Sequence, residues 1–447
     1  MITRTKGHLL YLGLIAIMLT ALSCERTTDE YKTYPLNVEL VYPDGYNAKK
    51  DITVTLTSTA DSKTMEAQTD ENGMAKFTVT AGVYDASATD NRTGDGVAYV
   101  LNGAERGIIV NEQWTGTENV KVRLSESKLS QVIIKEVYYG GTPTDDGSRP
   151  FAHDRHVILY NNSALPASLD NVCLAITLPY NPHATNSDYV DGKLFYENEG
   201  WCPAGQAFWY FQNPVTLEPY SQLVIALFNA VDNTQTYSKS VNFANPEYYC
   251  TYDIEKFDHE ASYPSPSEVI PTSHYLKSHV YGTGKAWVFS QLGPAFFIFA
   301  PEGQSIEQFG TDANNLDMYG GRATQVRKKV PVKWVLDGVE IFMQGSDSNR
   351  KRLNTEIDAG YIHGIKDMGY SIYRNVDKSA TEAIKENEGK LVYNYAMGTQ
   401  DIEGGTTDPS GIDAEASIKN GAKIVFMDTN NSSKDFHQRK EASLRHK

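Results

Sequence analysis

Short runs in which apolar and polar residues alternate dominate the first part of the chain. Apolar side chains recur at every second position over residues 36–41, 52–57, 74–79 and 120–124. This period predicts half-buried β-strands, and the runs are separated by turn-forming residues at roughly 8–12-residue spacing. Residues 36–127 are therefore predicted to form an antiparallel β-sandwich, with 125–128 as a short polar joint to the next domain.

The pattern over 128–447 predicts a second, larger β domain with long loops. Further strands are predicted where apolar residues are concentrated, at 131–139, 157–163, 295–299 and 424–427. Helical spacing of apolar residues is clearest over 378–390. Loops such as 232–285 are longer than most connections, and loops of this kind carry much of the binding surface in proteins. A functional surface is therefore expected there.

The first 23 residues have the three zones of an export signal. Arg4 and Lys6 precede an apolar run over 9–22 that is shorter than the ~20 residues of a membrane-spanning helix. Small residues then lead directly to Cys24, an arrangement that resembles the lipobox of bacterial lipoproteins, although Ala21 stands where that box usually has Leu. We predict a signal peptide over 1–23, lipid attachment at Cys24 and an acylated tether over 24–35.

Composition narrows the class of partner. The net charge is −15, and without residues 1–23, which carry Arg4 and Lys6 and no acid, it becomes −17. Sequence-independent nucleic-acid binding needs positive charge, so no nucleic-acid partner is expected. The 28 tyrosines suit β-strands and also exposed recognition surfaces.

Three cysteines remain after Cys24, so at most one disulfide can form. Cys173 lies in an apolar run and is expected in the core. A Cys202–Cys250 bridge is an alternative that the sequence leaves open.

Two stretches resemble known domain families. The sequence over 69–77, followed by Gly-x-Tyr at 82–84, resembles the carboxypeptidase-regulatory, transthyretin-like Ig-type fold. The series that includes 131–139 and 157–163 resembles the lamin-tail-like domain. Together they imply a mainly β protein, in which an N-terminal Ig/transthyretin-like sandwich (36–127) precedes a larger lamin-tail-like β domain with long loops (128–447).

The closest resemblance is to the DUF4876 lipoprotein family of Bacteroidetes. It rests on motifs spread over the mature chain, at residues 136–141, 160–163, 334–340 and 428–436. One departure is Ile158, where the family usually has Glu, so any role of that carboxylate is lost here. The resemblance implies a lipoprotein without known catalysis, and a TonB-dependent transporter as partner.

A dense aromatic stretch at 195–211 is the first candidate for a ligand surface. The favoured interpretation is core, because alternation over 208–211 buries one face of a strand. Tyr196 and Trp201 are assigned to a loop and are the better exposed candidates. His274 and Tyr275 complete the predicted ligand surface.

Metal and cofactor sites have weak support. His153 and His156 are the tightest histidine pair, but side chains three apart in a strand point to opposite faces, so no metal site is predicted and both remain weak candidates. The acidic turn at 312–317 has Leu316 where a calcium loop needs a ligand. Calcium or haem stays an unsupported alternative, and no cofactor is predicted.

Motifs for catalysis and phosphate binding are lacking in the sequence. Gly282–Lys285 has glycines and a lysine without the spacing of a phosphate loop. The sequence has no Gly-x-Ser-x-Gly and no His-Glu-x-x-His, so a non-enzymatic protein is predicted. The basic runs at 327–329 and 349–352 are assigned to solvated loops.

These features together predict a non-enzymatic binding protein. It would be lipid-anchored at the outer membrane, facing outward or, as an alternative, the periplasm. It would be accessory to TonB-dependent uptake of a nutrient, with iron or haem as one setting, and would have an outer-membrane barrel as partner. The alternatives are an adhesion or envelope structural module and a hydrolase without a recognisable motif.

Overall fold

A computed structural model describes residues 32–445, except 62, 95, 96, 129, 183 and 184. The predicted signal peptide and the lipidation site, Cys24, lie outside the described residues. Within the described part of the chain, no helix is long and apolar enough to cross a membrane.

Two packed β-sheets form the N-terminal part of the molecule. The first has the order β4-β1-β7, with β1 Thr33–Val41, β4 Met74–Thr80 and β7 Val120–Arg123. The second has the order β3-β2-β5-β6-β8, with β2 Thr53–Ser58, β3 Thr64–Gln68, β5 Gly82–Gly94, β6 Val97–Val110 and β8 Ser125–Lys128. The alternation seen in the sequence explains the packing. Leu36, Val38 and Leu40 of β1 face Val54 and Leu56 of β2 in one apolar core.

Residues 125–128 are a strand rather than the polar joint predicted from their composition. β8 pairs antiparallel with β6 and so extends the second sheet to Lys128. Polar residues at a sheet edge can form backbone hydrogen bonds to the neighbouring strand. Because these bonds do not involve side chains, the composition of 125–128 does not predict the strand.

Two six-stranded sheets form the frame of the larger part. One has the order β21-β20-β12-β9-β28-β29, with β9 Val132–Tyr138, β12 His156–Asn161, β20 Gln222–Ala226, β21 Tyr249–Cys250, β28 Ser371–Arg374 and β29 Phe436–Arg439. The other has the order β22-β18-β14-β23-β26-β27, with β14 Cys173–Ile176, β18 Ala207–Tyr210, β22 Lys277–Val280, β23 Ala295–Phe299, β26 Val335–Met343 and β27 Ile362–Gly364. The prediction of a mainly β, sandwich-like protein is confirmed.

Smaller sheets and short helices cover this frame. A three-stranded sheet contains β17 Trp201–Ala204, β25 Val326–Pro331 and β24 Leu316–Met318. Two-residue strands form the pairs β10 Thr142–Pro143 with β11 Pro150–Phe151, β13 Ala167–Ser168 with β19 Thr216–Leu217, and β15 Tyr189–Val190 with β16 Lys193–Leu194. The helices are α1 Phe195–Glu199, α2 Ile306–Thr311, α3 Lys378–Ala383, α4 Ala414–Lys419 and α5 Ser432–Asp435.

The core of the larger part lies between the two six-stranded sheets. Ile134 and Leu159 from one sheet pack with Trp209, Phe296 and Ile341 from the other. Strands β9, β12 and β23 are buried at every position, because further segments cover their outer faces. Continuous apolar runs predict such two-sided burial.

Two predicted elements in the larger part are shorter than expected or different. The helix predicted over 378–390 is confirmed in its first half as α3 and then gives way to a 3₁₀ turn at Lys385–Asn387. Residues 424–427 are not a strand. Ile424 and Phe426 are buried there, and Phe426 makes an isolated bridge to Val376.

The motif near the C-terminus, 428–436, joins the two parts of the molecule. The Asn102 amide of β6 donates hydrogen bonds to the carbonyls of Thr429 and Asn430. Nearby, the Arg106 guanidinium donates to the Ala359 carbonyl at 3.3 Å. Backbone groups of the second part are thus satisfied by side chains of the sandwich.

A buried ionic cluster lies directly beneath this junction. The fully buried Arg374 is paired with Asp337 and lies 3.3 Å from an oxygen of Asp428 and 3.8 Å from one of Asp435. Its Nε donates to the Ile134 carbonyl at 2.8 Å. One guanidinium therefore serves three carboxylates.

The prediction that the two basic runs are solvated loops is wrong. Arg327 lies on β25, is 1% exposed and forms a bidentate pair with Asp188. Arg352 is fully buried, and its Nε and Nη2 both donate to one oxygen of Glu340. In each run a neighbouring lysine, Lys328 or Lys351, is also buried. These cations hold loops to the sheets.

The three cysteines in the described residues are free and buried, so the alternative of a Cys202–Cys250 disulfide is not realised. Cys202 on β17 and Cys250 on β21 belong to different apolar clusters. Burial raises the pKa of the Cys173 and Cys202 thiols well above the ordinary value.

We expect the thiols of Cys173, Cys202 and Cys250 to resist alkylation until the chain unfolds, because a buried thiol is neither accessible nor ionised. Counting modified cysteines by mass spectrometry before and after denaturation, without reductant, tests this. The Cys24→Ala variant has only these three thiols. If fewer than three are modified after denaturation without reductant, the structure is contradicted.

Candidate functional site

An open, polar groove follows the outer edge of β22. Two adjoining depressions of about 600 and 460 Å³ share Asp253, Glu255 and Lys277 and so form one continuous groove. We call it the β22 groove. The β22 strand is the outermost strand of its sheet, and loop segments from distant parts of the chain form the groove walls.

The floor of the groove is set by the register of two strands. β22 pairs antiparallel with β18, which places His279 opposite Phe208 and Lys277 opposite Tyr210. Side chains two apart on a strand share a face, so Lys277 and His279 point the same way. The ring of Tyr210 stacks on His279 with centroids 5.2 Å apart.

Asp253 fixes the outer wall against the strand edge. One carboxylate oxygen accepts hydrogen bonds from the Ser278 backbone N–H and hydroxyl, both at 3.0 Å. The other oxygen lies 3.8 Å from the Lys277 ammonium. The turn after Asp253 is anchored by Phe257, which is buried against Trp209, and it leaves Glu255 and Lys256 exposed.

Helix α2 closes one end of the groove. Ser305 and Gln308 form a reciprocal capping box that starts the helix, and Phe309 anchors it in the core. Glu307 is consequently held 3.1 Å from His279 Nε2. A Cβ at Gly310 would come within 2.3 Å of the His279 ring, so glycine permits this close contact.

The electrostatics of this end reflect burial. Burial lowers the pKa of His279, and Glu307 offsets part of that effect. Lys328 is 1% exposed and donates to the carbonyls of Phe309, Gly310 and Asp312 at 2.7, 2.8 and 3.0 Å. Burial also lowers the pKa of Lys328, to about 8. Its ammonium fixes the wall of the groove and is already fully coordinated.

Tyrosines line the other end. Tyr252 and Tyr275 meet edge to face with ring centroids 5.3 Å apart, and both remain partly exposed. The Gln212 amide donates to the Tyr275 carbonyl at 2.8 Å and so fixes this segment. Ile254 beside them is 54% exposed.

Two of the predicted ligand-surface residues lie at or near the groove. Tyr275 contributes to its wall. His274 is next in sequence, but its ring stacks on Tyr249 with centroids 4.1 Å apart, and its Nδ1 lies 3.2 Å from the Tyr248 carbonyl oxygen. His274 thus supports the wall.

The other two predicted ligand-surface residues are not exposed, and their assignment to a loop is wrong. Tyr196 lies in α1 and is 0% exposed, and Trp201 begins β17 and is 5% exposed. The Arg327 guanidinium lies over both rings, and the Tyr196 hydroxyl donates to the Arg352 carbonyl at 2.7 Å. The aromatic stretch is core, as the favoured interpretation stated.

The weak metal candidates have different surroundings. His153 packs between Phe151 and Phe228. His156 is fully buried, with Nε2 4.0 Å from a Glu136 oxygen. Across the described residues no group of three or more His, Cys, Asp or Glu side chains is placed to hold a metal ion.

Two sequence motifs have structural roles. Asp312 accepts hydrogen bonds from Asn314 and Asn315, which caps the following 3₁₀ turn. The glycine-rich turn folds over Gln206, where a Cβ at Gly282 would come within 2.3 Å of the Gln206 Cβ. Glycine is needed there for close packing.

The fold and the groove define a mainly β, multi-sheet protein with an open polar groove. Residues 218–410 match the family model described as protein of unknown function DUF4876. The crystal structure of a DUF4876 family protein from Bacteroides thetaiotaomicron VPI-5482 is similar, with a TM-score of 0.50 and 20% identity over 90% of this chain and 94% of that one. The resemblance to the DUF4876 family that the sequence predicts is therefore confirmed over residues 218–410.

At 20% identity the crystal structure shows the fold alone, and the family description carries no catalytic assignment. No curated protein matches the chain.

Sequence reasoning found only part of the groove. It singled out the long loop over 232–285, which supplies one wall, and it named Tyr275. It missed Asp253, Lys277 and Glu307 as neighbours because they are brought together only by the pairing of β22 and the position of α2. For Asp253 and Lys277 the clearest signal is the mixture of charged residues and tyrosines within one long loop.

Proposed function

We propose that this chain is a lipid-anchored, non-enzymatic binding protein of the outer membrane, facing outward, with the β22 groove as its binding site. The observation that carries the proposal is the groove itself, which presents partly exposed tyrosines and side chains of both charges. Sites with several polar groups and aromatic faces suit reversible recognition.

The membrane setting of the proposal rests on the sequence. The signal-like segment and Cys24 support lipid anchoring. Acyl chains anchor a protein because each methylene buried in the membrane contributes about 0.8 kcal/mol. The DUF4876 resemblance supports association with a TonB-dependent transporter, with iron or haem as one nutrient setting.

We expect Cys24→Ala to move the protein from the membrane fraction to the soluble fraction, because the acyl anchor would be lost. Cell fractionation followed by immunoblotting measures this. Cys173→Ala, which removes a buried cysteine instead, is the matched control and should stay in the membrane fraction. Retention of Cys24→Ala in the membrane fraction would contradict lipid anchoring at that residue.

The partner is tested separately, with the anchored protein. Affinity purification after mild crosslinking, from cells grown with and without iron limitation, should recover a TonB-dependent barrel identified by mass spectrometry. Surface exposure is measured by protease treatment of intact cells. Recovery of no barrel in either condition would overturn the uptake role.

A hydrolase is the second candidate, and one observation favours it. His279 and Glu307 are 3.1 Å apart in a groove that also holds Asp253 and Glu255, which is the convergence of titratable groups that a hydrolytic site needs. The two functions differ in whether a bound ligand is released intact. Analysis of the ligand after incubation with the protein measures this.

A further inference from the structure

We propose that the β22 groove binds a linear, uncharged oligosaccharide. This inference names the ligand class of the binding site proposed above and rests on that proposal.

The shape of the groove favours a chain over a single compact molecule. Its walls run from Tyr275 to Val280. This segment follows the 3₁₀ turn at Thr272–His274 and spans roughly 16 Å at the rise of an extended strand. The groove is open along this length. A linear ligand could contact both the tyrosine end and the α2 end.

The charges of the groove favour an uncharged ligand. Asp253 lies 3.8 Å from the Lys277 ammonium, and Glu307 lies 3.1 Å from the ring of His279, which its lowered pKa keeps neutral. An anionic ligand would therefore meet the carboxylates of Asp253 and Glu307, and a cationic ligand would meet Lys277. A hydroxyl group both donates and accepts, so it can bond to a carboxylate and to an ammonium in turn.

The aromatic end supplies the second feature that sugars need. Tyr252 and Tyr275 present partly exposed rings, and Ile254 extends the apolar surface. A pyranose ring has hydroxyls at its edge and C–H groups on its faces. It can therefore pack a face on a tyrosine while its edge bonds to charged side chains.

An extended peptide fits less well, because the strand edge is closed. Peptides that extend a sheet need free backbone groups on its edge strand. The Ser278 N–H donates to Asp253, and the Leu276 N–H donates to the Cys250 carbonyl at 2.8 Å. Strand addition at β22 would have to break these hydrogen bonds.

The test uses the full mature chain with Cys24→Ala. It is applied to an array of neutral and anionic glycans, with a tryptic digest of casein as the peptide probe. We expect binding to a subset of neutral glycans, confirmed by calorimetry with the matching soluble oligosaccharide. Tyr275→Ala and Tyr252→Ala should each weaken binding by about tenfold. The matched control is Tyr393→Ala, which removes an exposed tyrosine outside the groove and should bind as the parent does.

Several results would overturn the inference. These are binding to no glycan, binding to anionic glycans or peptides alone, or binding that the two tyrosine variants leave unchanged. Circular dichroism of each variant confirms that it folds. Release of new reducing ends from the bound oligosaccharide would show that the protein is a hydrolase and would overturn the non-enzymatic binding role.

The outcomes separate this inference from the uptake role. Recovery of a barrel without any glycan binding would overturn the ligand class alone. Glycan binding at the groove without recovery of a barrel would support the ligand class and overturn the association with a transporter.

Discussion

Arg374→Ala should lower the free energy of unfolding by about 3–5 kcal/mol, because it leaves buried carboxylates without their cation. Arg374 is fully buried and lies within 4 Å of Asp337, Asp428 and Asp435. A domain is stable by only about 5–15 kcal/mol, so the loss is a large fraction of the total. Urea unfolding followed by circular dichroism measures it.

Two further variants make the result interpretable. Arg350→Ala removes an exposed arginine and should change stability by less than about 0.5 kcal/mol. Arg374→Lys keeps the charge but loses the planar, forked donor geometry, so its stability should lie between those of the wild type and the alanine variant. If Arg374→Ala unfolds like the wild type, the cluster does not stabilise the junction.

The sequence predicted the strands well where alternation was the controlling signal. The buried face of β1 follows directly from its period-two pattern, and the apolar run at β23 was correctly assigned to a buried strand. A half-buried strand can be predicted without knowing its partner strands. Water on one face and core on the other determine which residues alternate along it.

The local sequence pattern failed to predict the burial of charged residues. Arg327 was assigned to a solvated loop, but its partner Asp188 is 139 residues away in sequence. Burying a cation is costly unless a carboxylate meets it in good geometry. The sequence gives the sign of a charge but not the position of its partner.

The candidate site failed for a related reason. Tyr196 and Trp201 have the composition of an exposed aromatic patch, yet they surround the buried Arg327. The groove instead depends on Asp253 and Glu307, which contact β22 from two separate segments of the chain. Such convergence is a property of the tertiary fold and has no local signature.

The pH dependence of stability should be set in part by Asp428. Burial raises the pKa of this carboxyl to about 8, and Asp337 and Asp435 add to the effect, while Arg374 opposes it. The hydrogen-bond partners of the two carboxylates explain why the proton resides on Asp428 and not on Asp337. Asp337 accepts from the Ile134 and Gly338 N–H groups, whereas the hydrogen bond found for the Asp428 carboxylate within the described residues is the one from Arg374.

Asp428→Asn should therefore become more stable relative to the wild type as the pH rises from about 4 to 8. The folded state binds the Asp428 proton more tightly than the unfolded chain, whose pKa is near 3.8. The stabilisation that this proton gives the wild type is complete below about pH 4 and is lost as the pH rises through 8, with a slope of up to about 1.4 kcal/mol per pH unit. Asparagine resembles the protonated carboxyl and does not titrate. Urea unfolding at a series of pH values measures the difference, which we expect to reach a few kcal/mol, on the order of the linkage for a shift of this size.

The control for this prediction is Asp347→Asn, which neutralises an exposed aspartate. Its stability relative to the wild type should change by less than about 0.5 kcal/mol at every pH. The difference between Asp428→Asn and the wild type carries the test, because other groups titrate equally in both proteins. A difference that stays constant from pH 4 to 8, or that falls as the pH rises, would show that Asp428 is ionised in the folded protein. Arg374 would then balance an additional buried negative charge at the junction between the two parts of the molecule.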